Sequence, residues 1–273
     1  MRLSFARSED PGDGRVGATP ETVATLVDRG LEVEIEAGAG AAAGHDDEDY
    51  RQAGATVVDA EKLLATSEAL VTVAPPAPAR IAALPEGSAL IGFLRPVHDT
   101  ELARALAERR ITALAMELVP RIGKAQAMDA LSSQAGIAGY KAVLIAANTI
   151  DKLFPLSMTA AGTVKPARVV VVDLAAEDGG NCELTASGEP PDRGGTKVVP
   201  APRLAAAMPR EASALYARNV VNLLARIVTE EGSLDVDADP ELVGFLLARG
   251  GEVLHEPTAA ALRSARDTSE ATS

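Results

Sequence analysis

The sequence predicts an α/β fold: a parallel sheet flanked by helices, continued by two long helices. Two observations carry this. Short apolar runs alternate with amphipathic stretches through the first 115 residues, the pattern that lays helices on the faces of a sheet. Beyond them, helical apolar periodicity is sustained over Ser133–Leu153 and again over Ser213–Thr229.

Taken in order, Arg2–Ala6 reads as the first strand. Thr19-Pro20-Glu21 supplies an N-cap, a proline at the first helical position and an early acid; Val23, Leu26 and Val27 then give an apolar face that Gly30 stops. Leu31–Glu36 alternates apolar residues with Glu, predicting a strand with one face buried. Thr56–Val58, Ala69–Val73, Ala89–Leu94 and Ile111–Ala115 are further strands, and Asp99 caps a helix over Glu101–Arg109 that turns Leu102, Leu106 and Ala107 inward. Pro75, Pro76 and Pro78 have no ladder donor, so 74–78 leaves the sheet edge as a loop. Ser133–Leu153, ended by Phe154-Pro155, is the longest helix, ~30 Å at 1.5 Å per residue, enough to cross between domains. Arg168–Asp173 is a buried strand, 175–193 a glycine-rich polar loop and Leu204–Ala207 a short apolar bridge. The second long helix turns Leu215, Val220, Leu223, Leu224 and Ile227 inward. Leu242–Leu247 and Glu252–His255 form a hairpin across Arg249-Gly250-Gly251, and Ala265–Ser273 is a frayed polar tail.

Composition removes several function classes. A net charge of −13 argues against nucleic acid as a partner, because polyanions are held by clustered Lys and Arg. A lone cysteine, Cys182, excludes an internal disulfide framework and a cysteine-built zinc site, and points to a reducing, cytoplasmic setting. The N-terminus lacks the apolar stretch of a signal peptide, and no apolar run approaches the roughly 18–20 residues that span a bilayer, so direct membrane insertion is not expected. Docking on membrane partners remains open.

Gly38, Gly40 and Gly44 imitate a dinucleotide-binding turn, but His45-Asp-Asp-Glu-Asp49 follows and would set negative charge beside the phosphates. His98, after Arg95-Pro96, is either a solvated loop histidine or a catalytic one. No H-x-x-x-H or carboxylate spacing argues for metal, and no Gly-x-Ser-x-Gly elbow argues for hydrolysis. Two segments concentrate ligand-binding side chains. The loop before the first long helix holds Arg121, Gln126, Asp129 and Ser132 within twelve residues; it is a binding site, or a helix N-terminus capped by Asp129 with Arg121 beside an acid. The turn Asp173–Cys182 places Asp178, Gly179, Gly180 and Asn181 after a strand, where α/β sheets collect ligands, or is an ordinary glycine loop.

Pro120-Arg-Ile-Gly-Lys-Ala-Gln-Ala-Met-Asp-Ala-Leu-Ser-Ser-Gln-Ala-Gly-Ile-Ala-Gly-Tyr140 resembles the Arg-Gln-Asp loop of the soluble NAD(H)-binding α subunit of proton-translocating NAD(P) transhydrogenase, in the alanine dehydrogenase/transhydrogenase family. Val172-Asp-Leu-Ala-Ala-Glu-Asp-Gly-Gly-Asn-Cys-Glu183 resembles that family's turn near the nicotinamide. The likeness continues through Gly14–Pro20, Glu36–Gly40, Thr159–Gly162 and Ser213–Leu224, nearly the whole chain. It implies a flavodoxin- or Rossmann-like N-terminal domain over 1–132, long helices with a remnant of the NAD-binding domain over 133–229, and a segment over 230–273 returning to the first domain.

The family's Val-rich strand leads into Gly-x-Gly-x-x-Gly and several βα units, whereas here Arg168–Asp173 joins the first of those strands to the last. The second domain is therefore expected to be a truncated remnant without the phosphate loop. By resemblance, Arg121, Gln126, Asp129 and Ser132 contact the nicotinamide end of NAD(H), with Gln126 and Asp129 as the catalytic pair. Asp178, Gly179, Gly180 and Asn181 line the same pocket. The implied activity is hydride exchange between NAD(H) and NADP(H) coupled to proton translocation, as an oxidoreductase subunit acting with membrane and NADP-binding subunits. The long helices, without the domain they would bridge, are expected to pack in a homodimer or on a partner. Alternatives are a non-catalytic assembly or regulatory module and a small amino- or keto-acid binder. Thr72 stands where relatives place Lys, and Arg95 near the alanine dehydrogenase His, which points away from alanine dehydrogenase activity.

Overall fold

The computed structural model describes residues 1–167, 170–173, 192–193, 196–201 and 203–270. Its contacts divide the chain into one unit of Met1–Ser133 with Pro209–Ser273 and a second of Gln134–Met208.

The first unit is built on an eight-stranded sheet. β1 (Arg2–Phe5), β2 (Glu32–Glu36), β3 (Thr56–Val58), β4 (Ala69–Val71), β5 (Ala89–Gly92) and β6 (Thr112–Ala115) are parallel. β12 (Leu246–Arg249) and β13 (Glu252–Val253) return antiparallel, pairing Leu246 with Leu114. The strands lie in the order β13-β12-β6-β5-β4-β1-β2-β3. Successive strand residues point to opposite faces, and each face has its own core. Phe5, Ile35, Val71 and Ile91 pack with Val23 and Leu26 of α1 (Pro20–Asp28) and with Tyr216, Val220 and Leu223 of α7 (Pro209–Ile227). Leu70, Leu90 and Ala113 pack on the other face with α3 (Ala60–Thr66), α4 (Pro78–Ala83) and α5 (Thr100–Glu108). α2 (Asp47–Gln52) adds Tyr50 to the first core.

Local signals explain the starts. Thr19 and Thr22 form a reciprocal capping box at α1, and Asp99 accepts from the Leu102 amide at α5. The acidic run after Gly44 caps and opens α2, with Asp46 and Asp49 in reciprocal hydrogen bonds. Of the glycines before it, Gly40 serves close packing, since a Cβ there would lie 2.5 Å from the buried Tyr50 ring, whereas Gly38 and Gly44 adopt positive φ.

Several expectations need correction. β2 is buried on both faces, with Glu34 and Glu36 only 7% and 4% exposed, because charged partners meet them inside. Glu36 takes a two-pronged contact from Arg80 at 2.6 and 2.9 Å and the Arg7 amide at 2.9 Å; Thr66 donates to Glu34 at 3.0 Å. The proline run leaves β4, an interior strand rather than an edge, and Pro78 opens α4. α6 runs over Ala130–Thr149, starting earlier because Asp129 caps it and stopping before Phe154, where Thr149 bonds back to the Ile145 carbonyl. α7 starts at Pro209 and belongs to the first unit, with Tyr216 in place of half-buried Leu215 as a principal core side chain. Residues 240–245 form a 3-10 turn, and the tail is not frayed through 270: α8 covers Glu256–Glu270, with Thr258 fully buried and bonded to the Pro96 carbonyl.

In the second unit, β7 (Ser157–Thr159) and β8 (Gly162–Val164) form a hairpin. β9 (Val170–Asp173) pairs in parallel with β11 (Thr196–Pro200), to which β10 (Asp192–Arg193) adds antiparallel. Tyr140, Val143 and Leu144 of α6, with Leu156 and Met158, are exposed. No helix among the described residues is long and apolar enough to cross a membrane.

Candidate functional site

The candidate loop follows β6. Met116–Leu118 makes one 3-10 turn, Gly123–Met128 a second, and Asp129 then starts α6. Ala125, Met128 and Ala130 are buried and pin the loop to the core, leaving Arg121, Gln126 and Ser132 exposed. Spacing brings Asp129 and Ser132 together: one carboxylate oxygen accepts the Ser132 amide at 2.9 Å, the other its hydroxyl at 2.5 Å. Burial pulls the Asp129 carboxyl upward, but these two bonds and the Arg121 charge outweigh it and hold the group below the usual carboxylate range. The loop thus presents an ionised acceptor, a cation, an amide and a hydroxyl on one exposed stretch.

Asp129 also stabilises the helix. Because its pKa is depressed on folding, this stabilisation is present above the unfolded carboxylate value and is lost as pH falls through the folded one, below about pH 4. Asp129→Ala is expected to lower stability by about 1 kcal/mol at pH 7 and to narrow that difference in acid, as read from urea unfolding at several pH values.

Support comes from α7, which sequence reasoning did not assign to the loop. Asn219 donates to the Ala127 carbonyl at 2.8 Å, Asn222 donates to the same oxygen at 3.0 Å, and Arg226 donates to the Lys124 carbonyl at 3.3 Å. The available signal was two asparagines three apart in an apolar helix, where a buried amide demands partners.

β2 and β4 lie on opposite sides of β1, so the strand order reverses between β1 and β4, and the carboxyl ends of such strands are where open α/β sheets bind ligands. Asp13 and Arg15 form a two-pronged ion pair there at 2.6 and 2.8 Å. The buried Tyr216 hydroxyl donates to the Thr72 carbonyl at 2.7 Å, and burial drives its pKa up. Thr72 is buried with its hydroxyl lacking a partner, and Gly92 is obligatory beside it, because a Cβ would lie 2.5 Å from that oxygen. Glu117 accepts the Leu94 and Arg95 amides at 2.9 and 2.6 Å, and burial raises its pKa. Arg95 and His98 have exposed side chains, with Arg95 at a φ of +50°.

Asp178, Gly179, Gly180, Asn181 and Cys182 lie outside the described residues. Among those described, no cluster of three or more His, Cys, Asp or Glu could hold a metal.

A mostly parallel sheet whose strand order reverses, beside a polar loop that opens a long helix, defines the open α/β class of fold, which binds ligands at the carboxyl ends of its strands. Residues 6–138 match the family model of the alanine dehydrogenase/PNT N-terminal domain, and residues 167–256 match that of the C-terminal domain. The chain belongs to the alanine dehydrogenase/PNT family. It is 42% identical over 173 residues to the NAD(P) transhydrogenase subunit alpha of Cereibacter sphaeroides, a stretch covering 63% of this chain and 33% of that protein. It is 40% identical over 172 residues to the NAD(P) transhydrogenase subunit alpha of Haemophilus influenzae, again covering 63% and 33%. The chain spans less than half the length of the curated relatives it matches. A transhydrogenase from Sinorhizobium meliloti superposes with a TM-score of 0.85 at 28% identity, covering 93% of this chain and 100% of that one.

Proposed function

We propose that the chain is an α-subunit-like component of proton-translocating NAD(P) transhydrogenase, serving hydride transfer between NAD(H) and NADP(H). The observation that carries this reading is the capped and clamped loop of Arg121, Gln126, Asp129 and Ser132, set in a chain with transhydrogenase α-subunit relatives. These four residues suit a nicotinamide and its carboxamide: an ionised acceptor, a cation and exposed hydrogen-bonding groups. The fit does not extend to the phosphates. Among the described residues, the one glycine turn of roughly suitable spacing, Gly38–Gly44, runs into acidic α2 rather than an apolar helix.

When bound, the dinucleotide supplies or accepts the hydride. This chain's residues need form no covalent bond; they orient the ring and exclude water. Gln126 and Asp129 serve as the catalytic pair, Gln126 toward the second nucleotide; Asp178, Gly179, Gly180 and Asn181 enter this reading by resemblance alone.

The partners in this reading are membrane and NADP-binding subunits, which hold the chain at the cytoplasmic face of the membrane, and a second copy of the chain. Exposed Tyr140, Val143, Leu144 and Met158 support the homodimer, since such apolar surface favours covering. Light scattering at micromolar concentration is expected to give twice the chain mass of 28.1 kDa, and a monomer overturns the dimer.

The test of function is co-expression with the membrane and NADP-binding subunits. Hydride transfer from NADH to an NADP analogue is expected only when this chain is present. Assembly with activity independent of the chain favours a non-catalytic assembly or regulatory module.

A further inference from the structure

Arg121, Gln126 and Ser132 are exposed and Asp129 half-buried, so they contribute little packing, and short 3-10 turns such as Gly123–Met128 have weak internal geometry. Their orientation must come from elsewhere. Asn219 is only 7% exposed and uses both ends of its amide: Nδ2 donates to the Ala127 carbonyl at 2.8 Å, and Oδ1 accepts from the Ser133 hydroxyl at 2.7 Å. Ala127 directly follows Gln126, and Ser133 directly follows Ser132. One side chain therefore ties the loop's 3-10 turn to the first turn of α6, with Asp129 between the two tie points. Asn222 reinforces the first tie through its own bond to Ala127 at 3.0 Å.

We propose that Asn219 is the positioning residue of this loop, fixing Gln126 and Asp129 relative to each other without touching a ligand. The proposal rests on reading the loop as the nicotinamide-facing one. Asn219 shares a helix side with Tyr216 and Leu223, which pack into the sheet core, so the clamp is anchored beside that core. Loss of the clamp shifts the two loop groups while the sheet stays intact.

Asn219→Leu removes both ties at similar volume. Folding is preserved because Ala127 keeps the Asn222 bond and the Ser133 hydroxyl keeps its bond to the Ala130 carbonyl at 3.1 Å. Hydrogen exchange on the whole protein is expected to show amides within 123–133 exchanging about tenfold faster, with β1, β4 and β5 unchanged. Unchanged loop exchange, or acceleration spread over the strands, overturns the proposal. In the assembled complex with membrane and NADP-binding subunits, kcat is expected to fall by about 10- to 100-fold while KM for NADP(H) stays constant. A kcat within twofold of wild type, despite a faster-exchanging loop, also overturns it. If the wild-type complex transfers no hydride, the nicotinamide reading falls, and the exchange measurement alone decides whether Asn219 positions the loop.

Discussion

Arg80→Ala is expected to lower the unfolding free energy by about 3 kcal/mol at pH 7, read as a reduced urea midpoint. The reason is what the substitution leaves behind. Glu36 ends β2 with a side chain 5% exposed, and Arg80, at 11%, supplies its two-pronged partner. The hydrogen bond to Glu36, working against burial and aided by the charges of Glu36 and Glu9, holds the guanidinium firmly protonated. Alanine there strands a carboxylate in low dielectric with only the Arg7 amide and the distant Arg7 side chain, 4.0 Å away, to compensate. It also releases Glu9, which joins Arg80 at 3.2 Å and accepts the Ala77 amide at 2.9 Å, tying the loop after β1 to the proline run. Replacing both partners, Glu36→Leu with Arg80→Met, is expected to recover most of the loss, since an apolar pair carries no stranded charge. An unchanged midpoint for Arg80→Ala would show the pair to be dispensable.

The second large effect concerns ligand affinity. The isolated chain is expected to bind NADH with a Kd of about a millimolar or weaker, because charge-assisted contacts of ~1.5–3 kcal/mol each to the pyrophosphate have no described counterpart and every 1.4 kcal/mol is tenfold in affinity. The loop of Arg121, Gln126, Asp129 and Ser132 offers mostly exposed groups, and exposed hydrogen bonds replace water at little net gain. Calorimetric titration checks this. A micromolar affinity would show that a phosphate cradle exists in the chain; weak binding that becomes tight on adding the partner subunits would place that cradle with them.

How much of this was legible in the sequence follows the range of the forces. Thr19, Asp99 and Asp129 cap helices within three residues of themselves, so their roles could be read or weighed locally. The strands followed from apolar runs, and the parallel sheet from their alternation with helical stretches. Glu36 misled, because alternating Glu reads as a wet face and its partner Arg80 stands 44 residues away. Asn219 was invisible for the same reason, bonding to a carbonyl 92 residues distant. The end of α6 escaped because Phe154-Pro155 looked like the stop, whereas the helix, of the expected length, ends at Thr149.

The interruption of the first unit by Gln134–Met208 has a consequence for biosynthesis. As the chain leaves the ribosome, β1 to β6 emerge early, but one face of that sheet is sealed by α7 and its β6 edge by β12, both encoded after residue 208. A nascent chain therefore carries an open strand edge and an apolar face covered only in part, by α1 and α2, while at least 75 further residues (134–208) are translated. Unpaired edges invite pairing with other chains. The β6 edge is the place where a chaperone would engage this protein during synthesis, and where truncated products would aggregate.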